Sequence, residues 1–117
     1  MILRSLPILI APLIALAGTA QAEAVLSIPL PMGAEASVTR LAYSCDGDAI
    51  AVQYINTEAN SLAILTLDGA ERIFVGVTAG SGARYVSGPY EWWTKGADAT
   101  LSELMTEGQP RSCTARP

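Results

Sequence analysis

Leu41-Ala42-Tyr43-Ser44-Cys45-Asp46-Gly47-Asp48-Ala49-Ile50-Ala51-Val52-Gln53-Tyr54 carries the pattern that decides the fold. Leu41, Tyr43 and Cys45 alternate with Ala42 and Ser44, and Ile50, Val52 and Tyr54 alternate with Ala51 and Gln53. That is the two-residue period of half-buried strands, whose successive side chains point to opposite faces. Asp46-Gly47 lies between the two runs, and an Asp-Gly pair supplies the positive backbone angles that a tight hairpin turn requires. The stretch therefore predicts two antiparallel neighbours.

The same pattern repeats downstream. Leu62 to Leu67 reads as a strand, Asp68-Gly69 as a turn, and Ile73, Val75 and Val77 mark the strand that follows. After a loop at Thr78–Gly82, shorter strands are expected over Ala83–Val86, Tyr90–Lys95 and Ala99–Leu104, separated by Ser87-Gly88-Pro89 and Gly96-Ala97-Asp98. Gln109-Pro110 precedes a last segment holding Cys113. No window has the period of an amphipathic helix, so the chain reads as all-β, a sandwich or a barrel, and closure into a barrel would leave no exposed sheet edge.

Upstream of the strands the composition differs. Residues 1–22 have the layout of an export signal: Arg4, an apolar run from Leu6 to Ala17, and Ala20-Gln21-Ala22 as a small-x-small site with cleavage expected after Ala22. The run is shorter than the about 20 residues a membrane-crossing helix needs, and Pro7 and Pro12 interrupt it. Leu16-Ala17-Gly18 is similar to the lead-in to a lipid-acceptor cysteine, but Thr19 stands where that cysteine would be. The expectation is a soluble, exported, periplasmic protein with neither transmembrane nor lipid anchor. Residues 23–37, with Pro29, Pro31 and Gly33, read as an extended arm, and residues 38–117 as one small folded domain.

Charge and composition exclude several functions. The formal net charge is −4, and losing Arg4 with the signal makes it one unit more negative, which disfavours nucleic-acid binding. There is no histidine, the commonest general base and metal ligand, and two sulfurs alone leave a zinc site short of ligands. No glycine-rich phosphate loop opens a helix, so no nucleotide or other cofactor is expected. Cys45 and Cys113 are the only cysteines, and in an oxidising compartment they read as a disulfide enclosing most of the domain. Asp46 and Asp48 could act as a carboxylate pair in glycoside hydrolysis, but they flank a hairpin glycine and turn chemistry accounts for them.

Residues 80–96 concentrate both tryptophans and the only lysine, a composition typical of binding hot spots. Strand alternation puts Trp92 and Trp93 on opposite faces, so one is expected to fill the core and the other to cover an edge. Ser81-Gly82-Ala83-Arg84-Tyr85 and Tyr90-Glu91-Trp92-Trp93-Thr94-Lys95-Gly96 carry the patterns Ser-Gly-x-x-Tyr and Tyr-x-x-x-Thr-Lys-Gly. On these, and on Tyr43-Ser44-Cys45-Asp46-Gly47, Val52-Gln53-Tyr54, Ala99-Thr100-Leu101 and a cysteine near the C-terminus, the chain resembles the MliC/PliC family of membrane-bound and periplasmic inhibitors of chicken-type (c-type) lysozyme.

The resemblance spans about Val38 to Cys113 and implies a small antiparallel eight-stranded barrel that is an inhibitor and not an enzyme. It further implies that the serine and lysine loops enter the lysozyme cleft. Lys95 would set its ammonium against the two catalytic carboxyl groups there, and the Ser81 hydroxyl would hydrogen-bond to one of them. Gly82 and Gly96 would let the backbone turn beside each probe, while Tyr85, Tyr90 and Thr94 would either contact lysozyme or support the loops. Many family members are lipoproteins, and Thr19 departs from that pattern.

Two other readings compete. Serine–lysine pairs serve some enzymes as nucleophile and base, but no oxyanion site or substrate pocket is recognisable here. An exported barrel that binds a small apolar ligand or another cell-envelope partner is the alternative function.

Overall fold

The computed structural model describes residues 2–19, 22–31 and 33–117. The expected cleavage site at Ala20-Gln21-Ala22 falls partly outside these residues. The strands are β1 (Ser37–Cys45), β2 (Asp48–Asn56), β3 (Ser61–Leu67), β4 (Ala70–Val77), β5 (Ala83–Ser87), β6 (Tyr90–Lys95), β7 (Asp98–Glu103) and β8 (Arg111–Ala115). Each pairs antiparallel with the next, and β8 returns to β1, giving a closed eight-stranded barrel. Among the described residues there is no helix.

The turns form as their residues require. Asp46 and Gly47 have φ of 49° and 90°, and Asp68 and Gly69 have 50° and 77°, so both hairpins carry two consecutive positive-φ residues. In register, Cys45 faces Asp48 and Leu67 faces Ala70 across these two-residue turns. The barrel seam is short: Tyr43, Ser44 and Cys45 pair with Ala115, Thr114 and Cys113. The Cys45–Cys113 disulfide sits on that seam, joining residues that are already cross-strand partners. It binds the first strand to the last and encloses a sequence separation of 68.

Inward positions from all eight strands form one core, with Trp92, Phe74, Leu65 and Cys45 its largest fully buried side chains. The Trp92 ring meets the Tyr43 ring edge-on at 5.0 Å between centroids. Its indole Nε1–H donates to the Tyr54 hydroxyl at 2.8 Å, and the Tyr54 and Tyr43 hydroxyls share a further hydrogen bond of 2.8 Å. The polar tips of three core aromatics are thus satisfied by one another, as burial demands. Burial is the main reason the Tyr54 phenol is pushed above its ordinary ionisation range, with the Tyr43 hydrogen bond adding to it. The core side chains fill the centre of the barrel, as in other small barrels.

The strand that Ile73, Val75 and Val77 mark does form, but those residues point outward, with exposures of 47%, 52% and 37%. Phe74 is the inward residue instead. Ile73-Phe74-Val75 is apolar without interruption, so a two-residue period cannot choose a face. Register chooses it: Phe74 lies opposite Ala63, whose small side chain leaves room for the ring. Of the outward residues, Val75 joins a row of aliphatic cross-strand partners, Val38, Ile55, Leu62, Val75 and Val86, running over five strands.

Candidate functional site

Antiparallel order places the loop before β5, the end of β6 and the start of β7 at one rim of the barrel. In the β5–β6 hairpin, Ala83 pairs with Thr94 and Ser87 with Tyr90. Ser81-Gly82 therefore precedes β5 at the rim where Lys95-Gly96 follows β6. Ser81 and Lys95 are both solvent-exposed. Lys95 pairs in register with Asp98 across the two-residue turn Gly96-Ala97, in which Gly96 has φ of 60°. The ion pairs among the described residues are Arg84–Glu91 at 2.6 Å and Arg111–Asp48 at 3.1 Å, and neither involves Lys95.

The two loops are held to each other. Trp93 Nε1–H donates to the backbone carbonyl of Ser81 at 3.0 Å. Gly82 has φ of +66°, and a Cβ there would run into the backbone carbonyl oxygen of Thr94. The Thr94 hydroxyl lies 3.5 Å from the carbonyl oxygen of Ala83, at the long limit for donation. Successive residues of the serine segment thus rest against the two residues that precede Lys95. A shallow dent of about 490 Å³ adjoins the serine loop, lined in part by Gly82, Ala83, Arg84 and Tyr85.

The remaining candidates lie elsewhere. Tyr85 is an inward residue of β5, only 5% exposed, with its ring tilted against Tyr54 at 5.7 Å. Tyr90 stands at the opposite end of β6 from Lys95, about 17 Å along the strand at ~3.4 Å per residue. There it is half-buried, with the Arg72 guanidinium 4.6 Å above its ring. The structure gathers Ser81, Gly82, Thr94, Lys95 and Gly96 and leaves Tyr85 and Tyr90 apart from them. Trp92 is wholly buried and Trp93 is 41% exposed, the opposed facing that alternation predicts. The grip of Trp93 on the serine loop was not read from the sequence. That the two tryptophans face opposite sides was legible, but which of them faces outward was not, and the reach of Trp93 to Ser81 depends on the β5–β6 register.

The far rim has a different character. Asp46 is a turn residue with φ of 49°, and Asp48 pairs with Arg111, which also donates to the Cys45 carbonyl at 3.3 Å. These carboxylates serve a turn and an ion pair. A wide mouth of about 1260 Å³ opens at this rim, its inward lining including Asp48, Arg72, Glu103 and Arg111.

A disulfide-closed barrel with a packed core and its exposed serine and lysine loops fastened at one rim belongs to the class of small β-barrels that present a loop surface at one end. Comparison with known proteins narrows the class. The chain belongs to the family of membrane-bound lysozyme-inhibitor of c-type lysozyme, whose profile matches residues 43–109. It is 44% identical over 69 residues to a Cupriavidus necator protein named membrane-bound lysozyme inhibitor of C-type lysozyme, a match covering 58% of this chain and 55% of that protein. A Pseudomonas aeruginosa protein of the same name is 39% identical over 85 residues, covering 71% of this chain and 67% of its own. The chain thus spans about half the length of the first of these relatives and two thirds of the second. It is also similar to Pseudomonas aeruginosa MliC in the crystal structure of its complex with hen egg white lysozyme. That likeness has 36% identity and a TM-score of 0.67, and covers 82% of this chain and all of the other.

Proposed function

We propose that this protein inhibits a c-type lysozyme by lodging the Ser81 and Lys95 loops in the enzyme's cleft, and so protects cell-wall peptidoglycan. The observation that carries this reading is the common rim: two exposed probes, one cationic and one hydroxyl, are tied together through Trp93 and Thr94. The relatives' names and the solved complex of a similar protein support the choice of target.

The mechanism is occlusion with charge complementarity. A lysozyme cleaves glycan between two carboxyl groups, one acting as acid and the other as nucleophile or charge stabiliser. The Lys95 ammonium opposes that negative site, and its three N–H donors suit carboxylate oxygens. The Ser81 hydroxyl donates to a carboxylate beside it. Neither group has a bond to be broken by the target, so the complex stalls catalysis without being consumed. Gly96 and Gly82 let the chain turn next to each probe, whereas Tyr85 and Tyr90 act by shaping the barrel behind them.

Inhibition constants against a chicken-type lysozyme test the reading. Removing one partner of a desolvated charge pair costs about 2–5 kcal/mol, so Lys95→Ala should weaken inhibition by roughly 30-fold or more. Ser81→Ala should lose less, about 1.5–3 kcal/mol for a hydrogen bond to a charged group. Exposed ion pairs contribute only about 0–1 kcal/mol, so a folded Lys95→Ala variant within about twofold of the parent would show that Lys95 stays in solvent and that the plug mechanism is wrong.

The protein acts as an exported, soluble periplasmic species in this reading, although its relatives are named membrane-bound. Among the described residues no helix is long and apolar enough to cross a membrane, and Thr19 replaces the lipid-acceptor cysteine. Intact-mass measurement on protein recovered from cells should show a chain beginning at Glu23 without an acyl group. An acylated mass would refute soluble export.

A further inference from the structure

We infer that Trp93 is a positioning residue for inhibition: its indole N–H staples the Ser81 loop to the strand that carries Lys95 and so fixes the spacing of the two probes. The inference rests on the proposed inhibitory reading and adds a residue that lies at a free position of the Tyr-x-x-x-Thr-Lys-Gly pattern.

Trp93 is an outward residue of β6 whose register partner is Arg84. Its indole nevertheless reaches past the end of β5, to the carbonyl of a residue three positions before Arg84. Thr78 to Gly82 lie outside any strand, so the ladder hydrogen bonds do not hold the serine segment. Two features hold it at the Ser81 end. One is the Trp93 donor at 3.0 Å, and the other is the close pass of Gly82 over the Thr94 carbonyl. A Cβ at Gly82 would also come within 3.1 Å of Trp93 Nε1, so backbone and indole are packed against each other at this point. Lys95 is two residues beyond Trp93 on the same strand. A loop fastened to that strand keeps its distance from Lys95, and preorganisation of this kind raises affinity by removing the cost of ordering the loop on binding. The Arg84–Glu91 ion pair lies on the same outer face, with Arg84 opposite Trp93 and Glu91 two residues before it.

The experiment combines amide hydrogen exchange on the free protein with inhibition constants. Trp93→Phe keeps an aromatic ring and loses the donor, and Trp93→Ala loses both. In Trp93→Phe, exchange at the Ser81 and Gly82 amides should quicken by about threefold or more, while amides of β2, β3 and β7 keep their rates. Inhibition should weaken about three- to tenfold, as expected for one neutral hydrogen bond. Trp93→Ala should show the same changes, enlarged. Because the staple acts through the serine loop, Trp93→Phe should have little further effect in a Ser81→Ala background, yet keep its full effect in a Lys95→Ala background. Unchanged exchange at Ser81 and Gly82 overturns the staple. So does a Trp93→Phe effect that simply adds to that of Ser81→Ala, since Trp93 would then act by direct contact. If the parent fails to inhibit any c-type lysozyme, the functional reading falls by itself, and exchange on the free protein still decides whether Trp93 orders the loop.

Discussion

Lys95 and Gly82 show how much a single position can carry at this rim. Arginine keeps the charge of Lys95 but replaces a compact ammonium with a planar fork, so Lys95→Arg should recover only part of the affinity that Lys95→Ala loses. Titrating both variants against one lysozyme gives the comparison. Gly82 is constrained twice, by a φ of +66° and by the Thr94 carbonyl where a Cβ would sit. An L-residue in that conformation costs about 1–2 kcal/mol before any collision is counted. Gly82→Ala should therefore displace the serine loop, weaken inhibition at least as much as Ser81→Ala and lower the melting temperature. A Gly82→Ala protein with unaltered inhibition would mean that the loop's course is irrelevant to binding.

At the scale of the element, the aromatic cluster of β1, β2 and β6 links packing to pH. Tyr54→Phe would leave the buried Trp92 N–H and Tyr43 hydroxyl without their shared partner, at a cost of about 1–3 kcal/mol. Chemical denaturation of the folded variant measures that loss. The unfolded Tyr54 phenol ionises near 10.0, whereas the folded one is raised above it by burial first and by the Tyr43 hydrogen bond second. Below pH 10 both states keep the proton and this group adds no pH dependence. Above it the unfolded chain sheds a proton that the folded chain retains, so stability should fall as pH rises further. In Tyr54→Phe that alkaline slope should be reduced. A second test belongs to β4. Phe74→Ala should cost about 3–5 kcal/mol, and Ile73→Ala or Val75→Ala far less, because the ring is inside and the aliphatics outside. Equal losses at all three positions would contradict the facing of that strand.

The whole molecule is a small barrel whose last strand meets its first over three residue pairs. The disulfide lies on that short seam and joins two strand ends far apart in sequence. In the chain-entropy model a loop of this length is stabilised by about 4 kcal/mol. A domain of this size has only about 5–15 kcal/mol in total. Reduction should therefore lower the melting temperature sharply, and protein isolated without reductant should show no titratable thiol after denaturation. The rim that carries Ser81 and Lys95 is linked to the seam through β7, which pairs with β6 on one side and β8 on the other. Cys45→Ser with Cys113→Ser should weaken inhibition mainly through lost stability, so that inhibition corrected for the folded fraction stays close to that of the parent.

Local chemistry in the sequence determined the all-β class, both Asp-Gly hairpins and the opposed facing of Trp92 and Trp93, because turn angles and strand alternation act between near neighbours, while the bridge followed from there being only two cysteines in a chain with an export signal. The two motifs were also legible as strings, and with them Ser81 and Lys95. Tertiary structure decided three matters that local chemistry left open. Barrel closure rather than a sandwich, which the sequence implied only through its family resemblance, depends on pairing β1 with β8, a contact between distant strands that no local pattern encodes. The facing of β4 depends on Ala63 lying opposite Phe74, since an unbroken apolar run satisfies either face. The membership of the rim depends on register: within one fifteen-residue stretch, Ser81 and Lys95 come to the same rim while Tyr85 turns into the core and Tyr90 stands at the other end. Proximity in a folded hairpin follows the pairing of its strands, and spacing along the chain does not reveal that pairing.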